Sequence, residues 1–190
     1  MGFFGGGGGA AGNVALPIDE FIPSTVKVQS GRFNTFNIGG ITTKNHAANY
    51  ILWAPVYLPE TKNYTTAYIW VTSSAASSEV KIAFYKISSA GLPSDKLLET
   101  SGIATTSTGL KSISVTSTLL DKGWVLAAIA SNGSQNFSAL SGGSIMGFIS
   151  GFNAATYLSF NVFTYANSFP NPWSGAITDS ADSLINVGLK

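Results

Sequence analysis

One histidine and nine carboxylates are the groups with which this chain could do acid, base or metal chemistry, and it has no cysteine. His46 lies in TTKNHAAN, with no second histidine and no nearby carboxylate in sequence, so neither a metal pair nor a catalytic pair assembles locally. The segment reads as a surface loop, and His46 as a residue of that loop. Glycoside hydrolysis needs two carboxyls across a cleft. The nearest sequence pairs, Asp19 with Glu20 and Asp179 with Asp182, fall in segments expected to be extended, while Glu60, Asp95 and Asp121 sit at turns beside Lys62, Lys96 and Lys122. There is no Gly-x-Ser-x-Gly elbow, and a Ser-His-Asp site would rest on His46 alone. Without thiolates, disulfide frameworks and cysteine-ligated zinc or iron-sulfur sites are excluded. These residues predict no enzyme, no metal site and no cofactor.

The indoles are the other chemically useful groups, because each offers a flat apolar platform with a polar edge on which a sugar face can stack. Trp53, Trp70 and Trp124 lie within strand-like patterns and are expected to fill the core. Trp173 stands between Pro172 and Ser174, with Tyr165 and Phe169 upstream, and this trio is the candidate for a ligand or subunit contact.

The elements that must position these residues read as strands. NYILWAPVYLP (49–59) alternates bulky residues and holds two prolines, which suits an edge strand or a bent one. YTTAYIWVT (64–72) follows a short polar turn. In EVKIAFYKI (79–87), Val80, Ile82 and Phe84 form one face and Lys81, Ala83 and Tyr85 the other, predicting one core face and one wet or subunit-facing side. After the turn cluster SAGLPSDK (89–96), LLETSGIATT carries a short strand and GLKSISVTSTL (109–119) another. DKGWVLAAIAS (121–131) is apolar on both sides, as a central strand is. TYLSFNVFTYA repeats the pattern, and the last residues hold a final strand or an extended tail. No stretch shows the three-and-four spacing of an amphipathic helix. Seven or eight strands at turn spacings near a dozen residues predict an all-β protein, an antiparallel β-sandwich of the jelly-roll or immunoglobulin-like kind.

The totals agree with one domain and an arm. At 190 residues the chain fills one domain, and with 45% hydrophobic residues it has ample core material. Only 10% of residues are charged, so Ser, Thr, Asn, Gly or another subunit must cover the surface. A net charge of +1 and a single arginine, Arg32, argue against nucleic-acid binding. No apolar run approaches the ~20 residues of a membrane span, so membrane insertion is not expected.

The first residues, MGFFGGGGGAAGN, raise a separate question. Gly5, Gly6, Gly7, Gly8 and Gly9 carry no side chain to bury and lose the most freedom on ordering. Phe3 and Phe4 beside them read as an anchor for a pocket on a partner, with Gly2 and the glycine run as its tether; a plain disordered terminus is the alternative. A secretory signal would need basic residues before an apolar run, a myristoylation site Ser or Thr at Gly6, and a phosphate loop a Lys-Ser/Thr pair closing the glycines. Residues 1–40 therefore read as an extended arm and 41–190 as the sandwich.

Three pieces in order carry a resemblance: LWAPVYLP, then FYKISSAGLP, then GWVLA, within residues 49–131. In order and spacing they resemble the β-sandwich module of minor tail, fibre and other virion proteins of tailed bacteriophages, and the Gly-rich opening is similar to the docking peptides of head-fibre and decoration proteins. The resemblance implies a non-enzymatic virion protein, assembled in the host cytoplasm. Its arm would dock on the major capsid protein or a tail component, as a capsid decoration or short head fibre, and it would be a homotrimer. The alternative it implies is a tail receptor-binding module recognising host-surface glycan.

Overall fold

Val80, Ile82 and Phe84 alternate with Lys81, Ala83 and Tyr85, and the chain forms the strand that this period dictates, β4 (Glu79–Ile87). The computed structural model describes residues 41–88, 92–141, 161–175 and 183–190, and among these there are strands and no helix. In chain order the others are β1 (Ile41–His46), β2 (Tyr50–Leu58), β3 (Lys62–Ser73), β5 (Pro93–Glu99), β6 (Ile103–Ala104), β7 (Gly109–Leu120), β8 (Gly123–Ser131), β9 (Gln135–Ser141), β10 (Asn161–Val162), β11 (Ser183–Ile185) and β12 (Val187–Leu189). The glycine-and-phenylalanine opening and the first five residues of the TYLSFNVFTYA pattern, 156–160, lie outside the described residues.

Two antiparallel sheets pack face to face, making a β-sandwich. One holds β10-β2-β8-β4-β5, with β6 continuing the β5 edge along β4. β8 is its central strand, paired to β2 from Ile51↔Ala130 to Leu58↔Gly123 and to β4 from Val80↔Ser131 to Tyr85↔Leu126. Between β5 and β6, Thr100 keeps the ladder closed: its N–H donates to the Ile82 carbonyl at 2.8 Å and its hydroxyl accepts the Ile82 N–H at 2.9 Å. The residues read as one short strand are thus two, because strand pairing stops after Glu99 and resumes at Ile103, with the Thr100 bonds bridging the break.

The second sheet places β1 on β9 and β7 on β3. β9 and β3 pair only at Val71↔Phe137 and Ser73↔Asn136; beyond that point β9 pairs β11 and β3 pairs β12. The chain's end thus fills the gap between them. Asn186, at the turn between β11 and β12, is buried, and its N–H donates to the Ser138 carbonyl at 2.8 Å while Nδ2 donates to the Ser138 hydroxyl at 2.9 Å.

Ile69, Val71, Ile82, Phe84, Ile129 and Phe137 meet between the sheets, each of them fully buried. At roughly 1.5–3 kcal/mol per large apolar side chain, this core supplies most of the drive to fold. A second cluster lies on the outer face of the β2-β8-β4 sheet, where Ile51, Trp53, Tyr85, Leu126 and Phe169 are buried together. The expectation of a wet or subunit-facing side on β4 is therefore corrected for Ala83 and Tyr85, which the chain covers itself. Trp53 is buried as expected, in this outer cluster, but Trp70 and Trp124 are half-buried.

His46 is the larger correction. It ends β1 rather than lying in a surface loop, and it is fully buried. Its Nε2 lies 2.8 Å from the Ile129 carbonyl of the opposite sheet, its Nδ1 lies 2.8 Å from the Ala47 carbonyl, and its ring meets Phe137 edge-on. Alternation explains the inward aim, since period two places His46 on the face of β1 opposite Asn45, which bonds Asn136 on the exposed side.

Asn49 turns the chain from β1 into β2 with φ at 61°, a left-handed conformation that asparagine tolerates better than most residues. Its N–H donates to the Ser131 carbonyl at 2.8 Å, its carbonyl accepts the Phe163 N–H at 2.9 Å, and its side-chain oxygen accepts the Tyr165 N–H at 3.4 Å. Asn49→Ala is expected to lower unfolding free energy by about 1–2 kcal/mol, from the left-handed penalty and the lost acceptor. Asn49→Gly should recover most of that loss in urea titrations, because glycine relieves the backbone term.

Candidate functional site

Residues 163–173 cross the outer face of the β2-β8-β4 sheet as a strap, and they contain the three residues singled out as a contact, Tyr165, Phe169 and Trp173. Aromatic side chains fill the space beneath it because the strands there present Ile51, Trp53, Ala83 and Tyr85, a mix of large and small residues that leaves room for rings. Phe169 is 2% exposed and stacks on Phe163 with centroids 4.7 Å apart. Trp173 stands edge-on to Trp53 at 5.0 Å and to Tyr85 at 6.3 Å, and its Nε1 donates to the Gly175 carbonyl at 2.8 Å. A Cβ on Gly175 would come within 2.6 Å of that indole, so a glycine is needed for the chain to close over it.

Polar groups fasten the strap at both ends. Lys96 Nζ donates to the Phe169 carbonyl at 2.7 Å and to Glu99 Oε2 at 2.7 Å, while Glu99 Oε1 accepts the Phe169 N–H at 3.3 Å. The Lys96 N–H donates to Asn171 Oδ1 at 2.9 Å, the Trp173 N–H to the Ser94 carbonyl at 3.0 Å, and the Tyr85 hydroxyl to the Pro170 carbonyl at 2.7 Å. Burial, and then the Glu99 charge, push the Tyr85 phenol well above its usual range, so it remains a donor across the physiological span.

At the other end Lys81 Nζ donates to the Tyr165 carbonyl at 3.0 Å and sits 4.7 Å from the centre of the Tyr165 ring. The Tyr165 hydroxyl donates to Glu79 Oε2 at 3.2 Å; burial first, then the Glu79 charge and this bond, push its pKa up. Gly102 permits the approach, because a Cβ there would lie 2.4 Å from the Glu79 carboxylate and 3.0 Å from the Tyr165 oxygen.

Chemically, this arrangement holds a segment in place. Glu79 and Glu99 are each committed to strap atoms, and among the described residues no three of His, Asp and Glu gather where a metal ion could be held. Lys96 and Glu99 are both about four-fifths buried, so removing one partner leaves the other charged group poorly paired. Glu99→Ala is expected to cost about 2 kcal/mol, and the pair Lys96→Met with Glu99→Leu less than the sum of its single changes, in a double-mutant cycle of urea titrations.

Of the residues singled out from sequence, the structure brings Tyr165, Phe169 and Trp173 into one segment over one sheet, while Gly2 to Gly9 lie outside the described residues. Sequence reasoning missed Asn49, Glu79, Lys96 and Glu99 as the groups that fasten it. For Asn49 the turn preference of asparagine was a usable signal; for the charged groups none existed, since their partners lie from 70 to 86 positions away. Neither a model of any protein family nor any curated protein matches the chain.

Proposed function

We propose that this chain is a non-enzymatic structural protein of a phage virion, docked through residues 1–40 onto the particle as a capsid decoration or short head fibre. The observation that carries the reading is the placement of the three pieces on which the resemblance rests. LWAPVYLP falls on β2 and the one residue after it, Pro59, FYKISSAGLP runs from β4 into the start of β5, and GWVLA falls on β8, and these strands are neighbours in a single sheet. Pieces whose order and spacing carry the resemblance thus belong to one contiguous unit, which supports a common architecture behind that order. Low charge fits a protein whose surface meets other subunits of a particle.

Cryo-EM of the purified particle tests this. Density for residues 1–30 leading from the sandwich into a pocket of the major capsid protein, with Phe3 and Phe4 seated in it, is the expected result. Density for the sandwich at a fibre tip would replace this reading with receptor binding, and a particle lacking the protein altogether would end both.

A further inference from the structure

The connection between β8 and β9 is Asn132-Gly133-Ser134, and it holds the chain's one Asn-Gly pair; every other asparagine precedes a residue with a side chain. Both members are fixed by their surroundings. Asn132 clamps the start of β4, where its N–H donates to the Glu79 carbonyl at 3.2 Å and its Oδ1 accepts the Glu79 N–H at 2.7 Å. Gly133 lies against the residue before β4: a Cβ on it would come within 2.7 Å of the Ser78 Cβ, so a side chain there would displace Ser78. The Gly133 N–H donates to Ser131 Oγ at 3.1 Å, and that fully buried hydroxyl also takes a bond from Gln135 Nε2. Packing at this tip therefore calls for the dipeptide with the least obstructed route to deamidation.

In that reaction the Gly133 amide nitrogen gives up its proton and bonds to Asn132 Cγ, while the Cγ–Nδ2 bond breaks and that nitrogen leaves as ammonia. The product is a cyclic succinimide, which water opens at either carbonyl to aspartate or isoaspartate. A side chain on the second residue would crowd the closing ring, and glycine has none. Two conditions must be met first. The Gly133 proton must be open to base, and the Asn132 side chain must turn about Cα–Cβ to a nearly eclipsed angle that no staggered rotamer has. Ser131 Oγ engages the first group and the Glu79 N–H restrains the second. Asn132 is exposed, so water and base reach the tip, and these bonds rather than burial of the asparagine set the rate.

We propose that Asn132 is a spontaneous deamidation site gated by opening of the β8–β9 tip, so that conversion there marks each copy whose tip has let go of β4. Ring closure requires the Ser131 and Glu79 bonds to be broken together, and a local opening that leaves both sheets paired is enough for that. The mark is permanent. Isoaspartate adds a carbon to the main chain and cannot restore both bonds to Glu79, whereas aspartate keeps an acceptor for the Glu79 N–H and adds a charge. The inference is independent of the particle reading above.

Peptide mass spectrometry with fragmentation that separates isoaspartate from aspartate tests it, on the full chain held at mildly alkaline pH. Conversion is expected at Asn132 ahead of every other asparagine, and slower by about tenfold or more in native buffer than in unfolding urea, because the closed tip must first open. Ser131→Ala, which removes the acceptor of the Gly133 proton, should raise the native rate several-fold. Glu99→Ala, which weakens the fold at the other end of the strap, should leave that rate near the wild-type value. Equal wild-type rates in buffer and urea would show that the two bonds gate nothing, and another asparagine converting first in urea would remove the site. A Ser131→Ala rate equal to the wild-type rate, or a Glu99→Ala rate raised as much as that of Ser131→Ala, would overturn the gate in favour of global unfolding. The comparison of buffer with urea uses the wild type alone, so it decides the matter even where Ser131→Ala fails to fold.

Discussion

Replacing His46 with alanine is expected to cost about 3 kcal/mol, through the cavity left beside Phe137 and the Ile129 carbonyl left without its ring partner. A second effect is specific to pH. Both ring nitrogens face carbonyl oxygens, so a neutral ring can donate to only one of them while an imidazolium would satisfy both. Burial outweighs that preference and holds the pKa below its ordinary value of 6.5; the Ile129 and Ala47 carbonyls act the other way, and the Lys44 charge adds slightly to the lowering. Because the folded pKa is depressed, the unfolded chain takes up the proton first as pH falls. The contribution is fully present above about pH 6.5, declines as pH drops through the window between the unfolded and folded values, and levels off below the folded one. His46 is the sole histidine, so no other imidazole obscures the change. Urea titrations at pH 8 and pH 5 should show the wild type losing stability at the lower pH. His46→Gln, which keeps a donor and loses the titration, should show a smaller loss. An equal pH slope in both proteins would refute the assignment.

Phe169→Ala is expected to have an effect of similar size, about 3–4 kcal/mol, since it removes a fully enclosed ring from beneath the strap. The loss should extend beyond the cavity. Without Phe169 the strap loses its stacking on Phe163, and the Lys96 and Glu99 bonds to the Phe169 backbone must hold a segment that no longer packs. Trp53 and Tyr85 would become accessible, so the variant should show a lowered melting temperature, increased binding of an apolar dye and faster proteolysis within the strap. Phe169→Leu should recover much of the stability, because it refills most of the volume. A variant that melts lower yet keeps the wild-type proteolysis rate in the strap would mean that Phe169 fills a void without holding the segment down.

How much of this was legible differs from element to element. β4, β7 and β8 were readable because their side-chain period or continuous apolar run reports local geometry. The central position of β8 followed from Val125 to Ala130 being apolar on both sides, a demand made by two buried faces. The outer cluster was not legible. Ala83 and Tyr85 alternate with core residues and look identical whether water, a subunit or the chain's own strap covers them. His46 failed for the same reason: the strand residues before it, Thr42 to Asn45, are polar, and the Ile129 carbonyl that its ring meets is 83 residues away. The aromatic trio was visible as a group, but what it packs against was not.

The class of structure was already present in the order of residues, because alternation, turn residues and the lack of helical spacing are properties of neighbouring residues and act through local sterics and burial. Which strand lies beside which was decided only in three dimensions. The chain passes from one sheet to the other at most of its connections, so β1 pairs β9 and β2 pairs β8 across most of the described length. Many registers satisfy the same alternating pattern, and the choice among them comes from simultaneous packing of two faces, the fit of the strap's rings and the satisfaction of buried groups such as His46 and Asn186.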